Sequence, residues 1–462
     1  MSNHLSDQQL IGYIHQTLTD AEREDLDHHL AECAQCRAQI DRYESLQRRI
    51  QYDLANDLRG VQASSHKSFA AIAPRLKSGR RLAVVQIGLE RLAVVAALAL
   101  IFVLVYGLVT NSLPIDRPSV DGPGPAGAMF RGNQQRTGVY DTKTVPGLGE
   151  TVWTSRVGQP IWTSPSFSDG KIYIANADGY VHALDSQTGQ EKWKSPAKSK
   201  SFSSPIVADG VLYVGVGTQL YALDSQTGQE KWKRNLHLLD SSPTIAGGTV
   251  YVGSSIFLYA LDGQTGQEKW SFATDGLVTS SPAVADGTVY FGSADKHVYA
   301  LDSQTGLLKW EFKTGGRVDS SPAVANGTVY VGSFDNSFYA LDSQTGKLKW
   351  KFLLGDDVFS SPAVIDDMVY FGSLDGHLYA LDSQTGQEVW KFTTGNLVKS
   401  SPAVAHGVVY FGSFDHYLYA VDARTGGVIW KLETGAAIKS SPIVADGMVY
   451  FGSEDGNFYA VR

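Results

Sequence analysis

One motif, Ala-x-Asp-x-x-x-Gly-x-x-x-Trp, recurs along this chain, and its last copy is divided between the two ends of the region that carries it. Intact copies begin at Ala183, Ala222, Ala260, Ala300, Ala340, Ala380 and Ala420. A further copy begins at Ala460, where only Val461 and Arg462 follow. Its missing half lies at Gly149 to Trp153, with the same Gly-to-Trp spacing. A linear array gives no reason to divide a motif in this way. A ring does, because its first and last segments must pair to close it. The split motif therefore predicts a closed circle of eight units.

The motif spacing of 39, 38 and then 40 residues suits propeller blades or helical repeats. Helical repeats fail, because each unit alternates apolar and polar residues at period two. In the stretch 281–313, residues Ser281–Ala285 read as an inner strand, Thr288–Ser293 and His297–Asp302 as the next two, and Leu307–Lys313 as the fourth. Four antiparallel strands make one blade of an all-β propeller. Gly306 takes the positive φ that the Ser-Gln-Thr turn requires, and Asp302 accepts N–H bonds within that turn. Trp310 supplies apolar area at a blade boundary, and small Ala300 leaves room for it. These residues are architectural, and none is a catalytic candidate.

The rest of the chain is organised differently. Leu92–Thr110 is nineteen residues without a charge, long enough to cross the hydrocarbon core as a helix. Arg75, Lys77, Arg80, Arg81 and Arg91 precede it, so the positive-inside rule puts the N-terminus in the cytoplasm and the C-terminal region outside. The expected organisation is multi-domain: a small all-α zinc-binding head (1–60), a cytoplasmic linker (61–91), a single transmembrane helix (92–110), a Pro/Gly-rich linker (111–128) and an eight-bladed propeller (129–462). A net charge of -8 argues against nonspecific nucleic-acid binding. No cleavable signal peptide is legible in the polar first thirty residues. The only cysteines are Cys33 and Cys36, so the propeller must be held by packing alone.

In the head, His29, Cys33 and Cys36 are spaced four and then three residues apart. If 20–40 is helical, as Asp20 at its N-cap suggests, all three share one face. Thiolates and an imidazole so grouped suit tetrahedral zinc, with His4 as the candidate fourth ligand. A metal would also staple a head with little core. The alternatives are a redox dithiol, or structural zinc with no partner. The stretch from His4 to Tyr13, then Leu18 to Arg23 and His29-Leu-Ala-Glu-Cys33-Ala-Gln-Cys36, resembles the zinc-binding anti-sigma factor family. Gln16-Thr17 departs from the turn common in that family. The resemblance implies that the helix after the second cysteine, here Arg37–Leu58, grips a sigma factor. Its apolar stripe of Ile40, Tyr43, Leu46, Ile50, Leu54 and Leu58 suits that role and self-packing equally.

The propeller motif resembles the tryptophan-docking repeat of the pyrroloquinoline-quinone (PQQ) dehydrogenases and their noncatalytic relatives, among them the outer-membrane barrel-assembly lipoprotein. Residues 129–139 (MFRGNQQRTGV) resemble the lead-in segment of that superfamily. The resemblance implies the fold. It does not carry PQQ with it, because the propeller lacks the adjacent cysteines of many catalytic members and shows no embedded carboxylate pair for calcium. The expectation is a protein that is not an enzyme.

If repeated residues are framework, function sits where repeats differ. The residue two before each Ser-Pro varies most: Trp162, Phe202, Asp240, Thr279, Asp319, Phe359, Lys399 and Lys439. Each falls at the entry to an innermost strand, where loops converge on the central channel. Such a ring suits a polar ligand with an apolar body; the plainer alternative is solvated loop residues of no special role. The leading expectation is a single-pass membrane regulator, with a cytoplasmic head that holds a sigma factor and an outer propeller that binds a ligand or envelope protein. The alternatives are a membrane-tethered envelope scaffold and, more remotely, a quinoprotein dehydrogenase.

Overall fold

The computed structural model describes residues 131–140, 149–196, 199, 203–236 and 239–462, together with Arg23, Leu26, residues 28–31 and Cys33. The chain divides into two compact units, residues 1–122 and 123–462. In the first, Arg23, Leu26 and residues 28–31 are helical, with Leu26 and Leu30 buried. The expected span 92–110, both linkers, the helix 37–58, His4 and Cys36 lie outside the described residues. Among the described residues, no helix is long and apolar enough to cross a membrane.

The described residues of the second unit form 32 strands, numbered β1 to β32 in chain order, in eight four-stranded antiparallel sheets. Seven sheets are each built from four consecutive strands. The eighth joins β30 (Ile443–Ala445), β31 (Met448–Gly452) and β32 (Asn457–Val461) to β1 (Thr151–Arg156). Trp153 pairs with Ala460, as Trp310 pairs with Ala300. The divided motif is thus one blade, shared by the first and last strands.

Each motif tryptophan locks its blade to the next. The Trp270 ring packs on Gly306, where an added Cβ would come within 2.7 Å of it, and the Trp270 indole donates to the Ser303 carbonyl at 3.1 Å. At the junction of the last blade with the first, Trp153 packs on Gly189 and donates to the Ser186 carbonyl at 3.0 Å. Gly149 receives the Trp430 ring in the same way. Gly306 has φ 71°, so a side chain there would meet both backbone strain and the indole. Asp302 accepts from the Gln304 and Thr305 amides and from the Thr305 hydroxyl, fixing the turn that presents Gly306.

The inner strands are shorter than the sequence suggests. The strand expected over 281–285 is Ala283–Ala285 (β14). Pro282 has no N–H, and the Ser281 amide donates to Ser321 of the next blade rather than to its own ladder. The next two strands match closely, at Thr288–Gly292 and His297–Asp302, and the outer one runs Leu308–Lys313.

Candidate functional site

The serine before the proline of each Ser-Ser-Pro or Thr-Ser-Pro segment builds the floor of the central channel. The Ser164 amide donates to the Ser204 hydroxyl, Ser204 to Ser242, and Ser242 to Ser281. The series continues through Ser321, Ser361, Ser401 and Ser441, and the Ser441 amide returns to the Ser164 hydroxyl. Every one of these bonds is between 2.9 and 3.1 Å. The result is a closed circle of buried serines, one per blade.

Below this circle the chain seals its own channel with the segment 131–140. The Val284, Val324, Val364 and Val404 amides, on the inner strands of four successive blades, donate to the carbonyls of Gln134, Gln135, Thr137 and Gly138. The Arg131 guanidinium donates to the Pro362 and Pro402 carbonyls. Arg136 donates to the carbonyls of Pro282, Ser242 and Pro243. Both arginines sit at positive φ, 69° and 57°, a strained conformation that these bonds hold in place. Burial lowers Arg131 to about 10; burial and then the neighbouring Arg131 lower Arg136 to about 9. Both remain cations at neutral pH. Sequence reasoning marked this segment only as a lead-in and missed the two arginines.

Above the circle is a cup of about 190 Å³. Its wall brings together Trp162, Asp240, Thr279, Asp319, Phe359, Lys399 and Lys439, seven of the eight residues expected to form a ring. Phe202 lies outside the described residues. The Lys399 ammonium sits 4.5 Å from the Phe359 ring centre, and that of Lys439 is 5.5 Å from Trp162 and 5.2 Å from Phe414. Glu454 pairs with Lys439 and accepts from the Trp162 indole at 2.9 Å. On the far wall, Asp319 accepts from the Thr279 hydroxyl at 2.9 Å and pairs with Arg317 at 3.1 Å. Burial, followed by the like charge of Lys439, lowers the Lys399 pKa. Glu454, Arg317 and Phe414 were not on the sequence's candidate ring, because they come from loops outside the Ser-Pro register.

A larger cavity of about 340 Å³ lies beside the plug, lined by Asn133, Thr137 and Asp366 among others. Its other walls are the repeated turns that follow the inner strands. The cup gathers the positions at which blades differ, and it is the candidate site. A calcium-bound quinone needs convergent carboxylates. The cup offers two lysines, Asp319 already held by Thr279 and Arg317, and Asp240 two blades away from it, a donor set that does not match that group.

In the head, the Cys33 amide donates to the His29 carbonyl at 2.8 Å, so these two candidate zinc ligands are one helical turn apart. Both are half-buried. Cys36 and His4 lie outside the described residues, so the full ligand set is not displayed.

Sequence and structure comparisons agree with this architecture. The profile described as "Outer membrane protein assembly factor BamB" matches residues 142–271, 220–318 and 310–462. The chain belongs to that family. A second profile, described as "Putative zinc-finger", matches residues 7–37. The Moraxella catarrhalis BamB crystal structure superposes with a TM-score of 0.60 at 22% identity, covering 68% of this chain and 99% of that one. Quinoprotein alcohol dehydrogenase PedE of Pseudomonas putida is 34% identical over 74 residues, 15% of this chain and 12% of that enzyme. BamB of Legionella pneumophila is 39% identical over 72 residues, 14% of this chain and 18% of that protein. These curated relatives are therefore matched over less than a fifth of their own length. The likeness to solved structures carries the eight-bladed fold.

Proposed function

We propose that the protein is a single-pass membrane regulator, with a cytoplasmic zinc head that binds a sigma factor and an extracytoplasmic propeller that binds a ligand or envelope protein. The observation that supports it most is the cup, where seven residues of unlike chemistry converge over a floor of eight identical serines. A framework needs identity between blades, and departure from identity at one mouth marks a site. The zinc-finger match over 7–37 and the one-turn spacing of His29 and Cys33 support the metal-binding head. The charge-free segment 92–110 and its basic flank support the span between them. The propeller is read as noncatalytic, consistent with its family and with the donor set of the cup.

The test is affinity capture of the full-length chain from its native host, with zinc quantified in the same sample. Co-purification of a sigma factor, lost in the His29→Ala variant together with zinc, is the expected result. Zinc retention without any sigma factor would overturn the regulatory role.

A second reading, a membrane-tethered assembly scaffold, is favoured by the family and by the propeller's outer edge. Two residues before the motif tryptophan the first three blades carry Glu191, Glu230 and Glu268, whereas Leu308, Leu348 and Val428 stand exposed there in later blades, and Val389 and Val152 are exposed one residue further on. Capture of an envelope-assembly protein, abolished when these five become glutamate, would favour that reading instead.

A further inference from the structure

We propose that the cup binds the oxyanion of a small organic acid, seated over the serine circle and held by Lys399. The inference rests on the reading of the propeller as a binding module, and it names the chemical class that module recognises.

The serine circle carries the argument. Each of the eight hydroxyls accepts one amide N–H, which leaves its own proton to donate. Among the described residues, none of these hydroxyls donates to a protein acceptor, although all eight serines are at least nine-tenths buried. A buried donor without an acceptor is costly, and here the donors repeat around one axis at the bottom of an open cup. An oxyanion on that axis has lone pairs for several of them at once.

Charge points the same way. Among the described residues, no carboxylate lies within ion-pair distance of Lys399, while Lys439 is paired with Glu454 and Arg317 with Asp319. Its lowered pKa is the sign of an ammonium held without full compensation, which a bound anion would relieve. Beneath the floor, Arg136 bonds the carbonyl of Ser242, itself a member of the circle, so a buried cation adds its field from below. Asp240 sits four blades from Lys399 in a ring of eight, on the opposite wall, and pushes an anion towards the lysine. The volume of about 190 Å³ admits an acid of few heavy atoms, and Phe359 and Trp162 offer it aromatic walls.

The experiment is isothermal titration of the full-length chain with benzoate, with benzylammonium as a probe of similar shape and opposite charge, and with inorganic phosphate as a competitor. Benzoate is expected to bind and to be displaced by phosphate, with no heat from benzylammonium. Lys399→Met should weaken benzoate by about tenfold or more, and Asp240→Asn should tighten it. Ser361→Ala should also weaken it, with melting temperature measured alongside to separate lost binding from lost fold. Benzylammonium binding as tightly as benzoate, an unchanged affinity in Lys399→Met, or no binding of either acid would overturn the proposal. No probe binding while sigma-factor capture persists overturns the ligand class alone. Benzoate binding without any sigma-factor capture overturns the regulatory reading alone.

Discussion

The Ser441 amide donates to the Ser164 hydroxyl at 3.0 Å, across 277 positions of sequence, and so completes a circle that passes through every blade. The same junction is held at the outer strand by Trp153 on Gly189, and the last sheet is itself closed by the pairing of β1 with β32. Closure is therefore made at several radii by different chemistry: hydroxyl acceptors at the axis, strand pairing within the blade, and an indole stacked on a glycine between blades.

Closure predicts that Trp153 is worth as much as any internal docking tryptophan. Trp153→Ala and Trp270→Ala should each destabilise the propeller by about 3 kcal/mol, the low end of the range for loss of a large aromatic from a core. Matching falls in denaturant midpoint at an unchanged slope would confirm the equivalence. A neutral Trp153→Ala would show that the first strand does not close the ring.

The plug should be structural. Arg136→Ala leaves the buried carbonyls of Pro282, Ser242 and Pro243 without their donor. Each stranded acceptor costs about 1–3 kcal/mol less whatever water recovers, so a loss of about 3 kcal/mol is expected in chemical denaturation. A loss of β signal at its usual midpoint, with no shift, would mean that the segment is a bystander.

Acid should loosen the turns together. Asp185 is held down to about 2, first by the Lys192 ammonium and then by the Thr188 hydroxyl and the turn amides. In Asp224, Asp262, Asp302, Asp342, Asp382 and Asp422 the turn threonine leads the same downward shift. A carboxylate whose folded pKa lies below its unfolded value of about 3.9 favours the fold only while ionised. Its contribution is complete above that value and fades as pH falls towards the folded one. Thermal stability should hold down to about pH 4 and then decline towards about pH 2, followed by circular dichroism. Asp302→Asn and Asp342→Asn combined should lower stability at neutral pH and flatten that acid decline; an unchanged profile would rule the turns out as its source.

The cup should tolerate loss of its wall. Trp162 and Phe359 are substantially exposed, and Lys399 rests on Phe359 rather than on the core. Replacing Trp162, Phe359 and Lys399 together with alanine is expected to leave the melting temperature within a degree or two of wild type, as exposed substitutions generally do. Binding to the cup should be abolished, and persistence of binding would place the site elsewhere.

The sequence made the framework legible because its information is periodic. Ala300, Gly306 and Trp310 recur at one spacing, and their roles follow from repetition alone. The wall of the cup was legible for the converse reason, since Lys399 and Asp240 stand where repetition fails. Arg131 and Arg136 were not. They occur once, in a segment that resembles a lead-in and carries no repeat, and their acceptors are backbone carbonyls that any residue could supply. The serine circle was half-legible: Ser-Pro was an obvious repeat, but its bonds run between blades, 38 to 40 residues apart. In the head, His29, Cys33 and Cys36 were read from spacing, which records one helical face directly; His4 stands far off in sequence, where no such spacing applies.

The plug also makes the propeller a bearing with its axle welded in. Chain that enters at Arg131 is fastened at once to the inner strands of four neighbouring blades. A pull on the residues ahead of it is shared across half the circumference instead of peeling one edge strand from its sheet. Load arrives at the hub, so the disc can be hauled, twisted or crowded from its N-terminal side while the rim and the cup keep their shape.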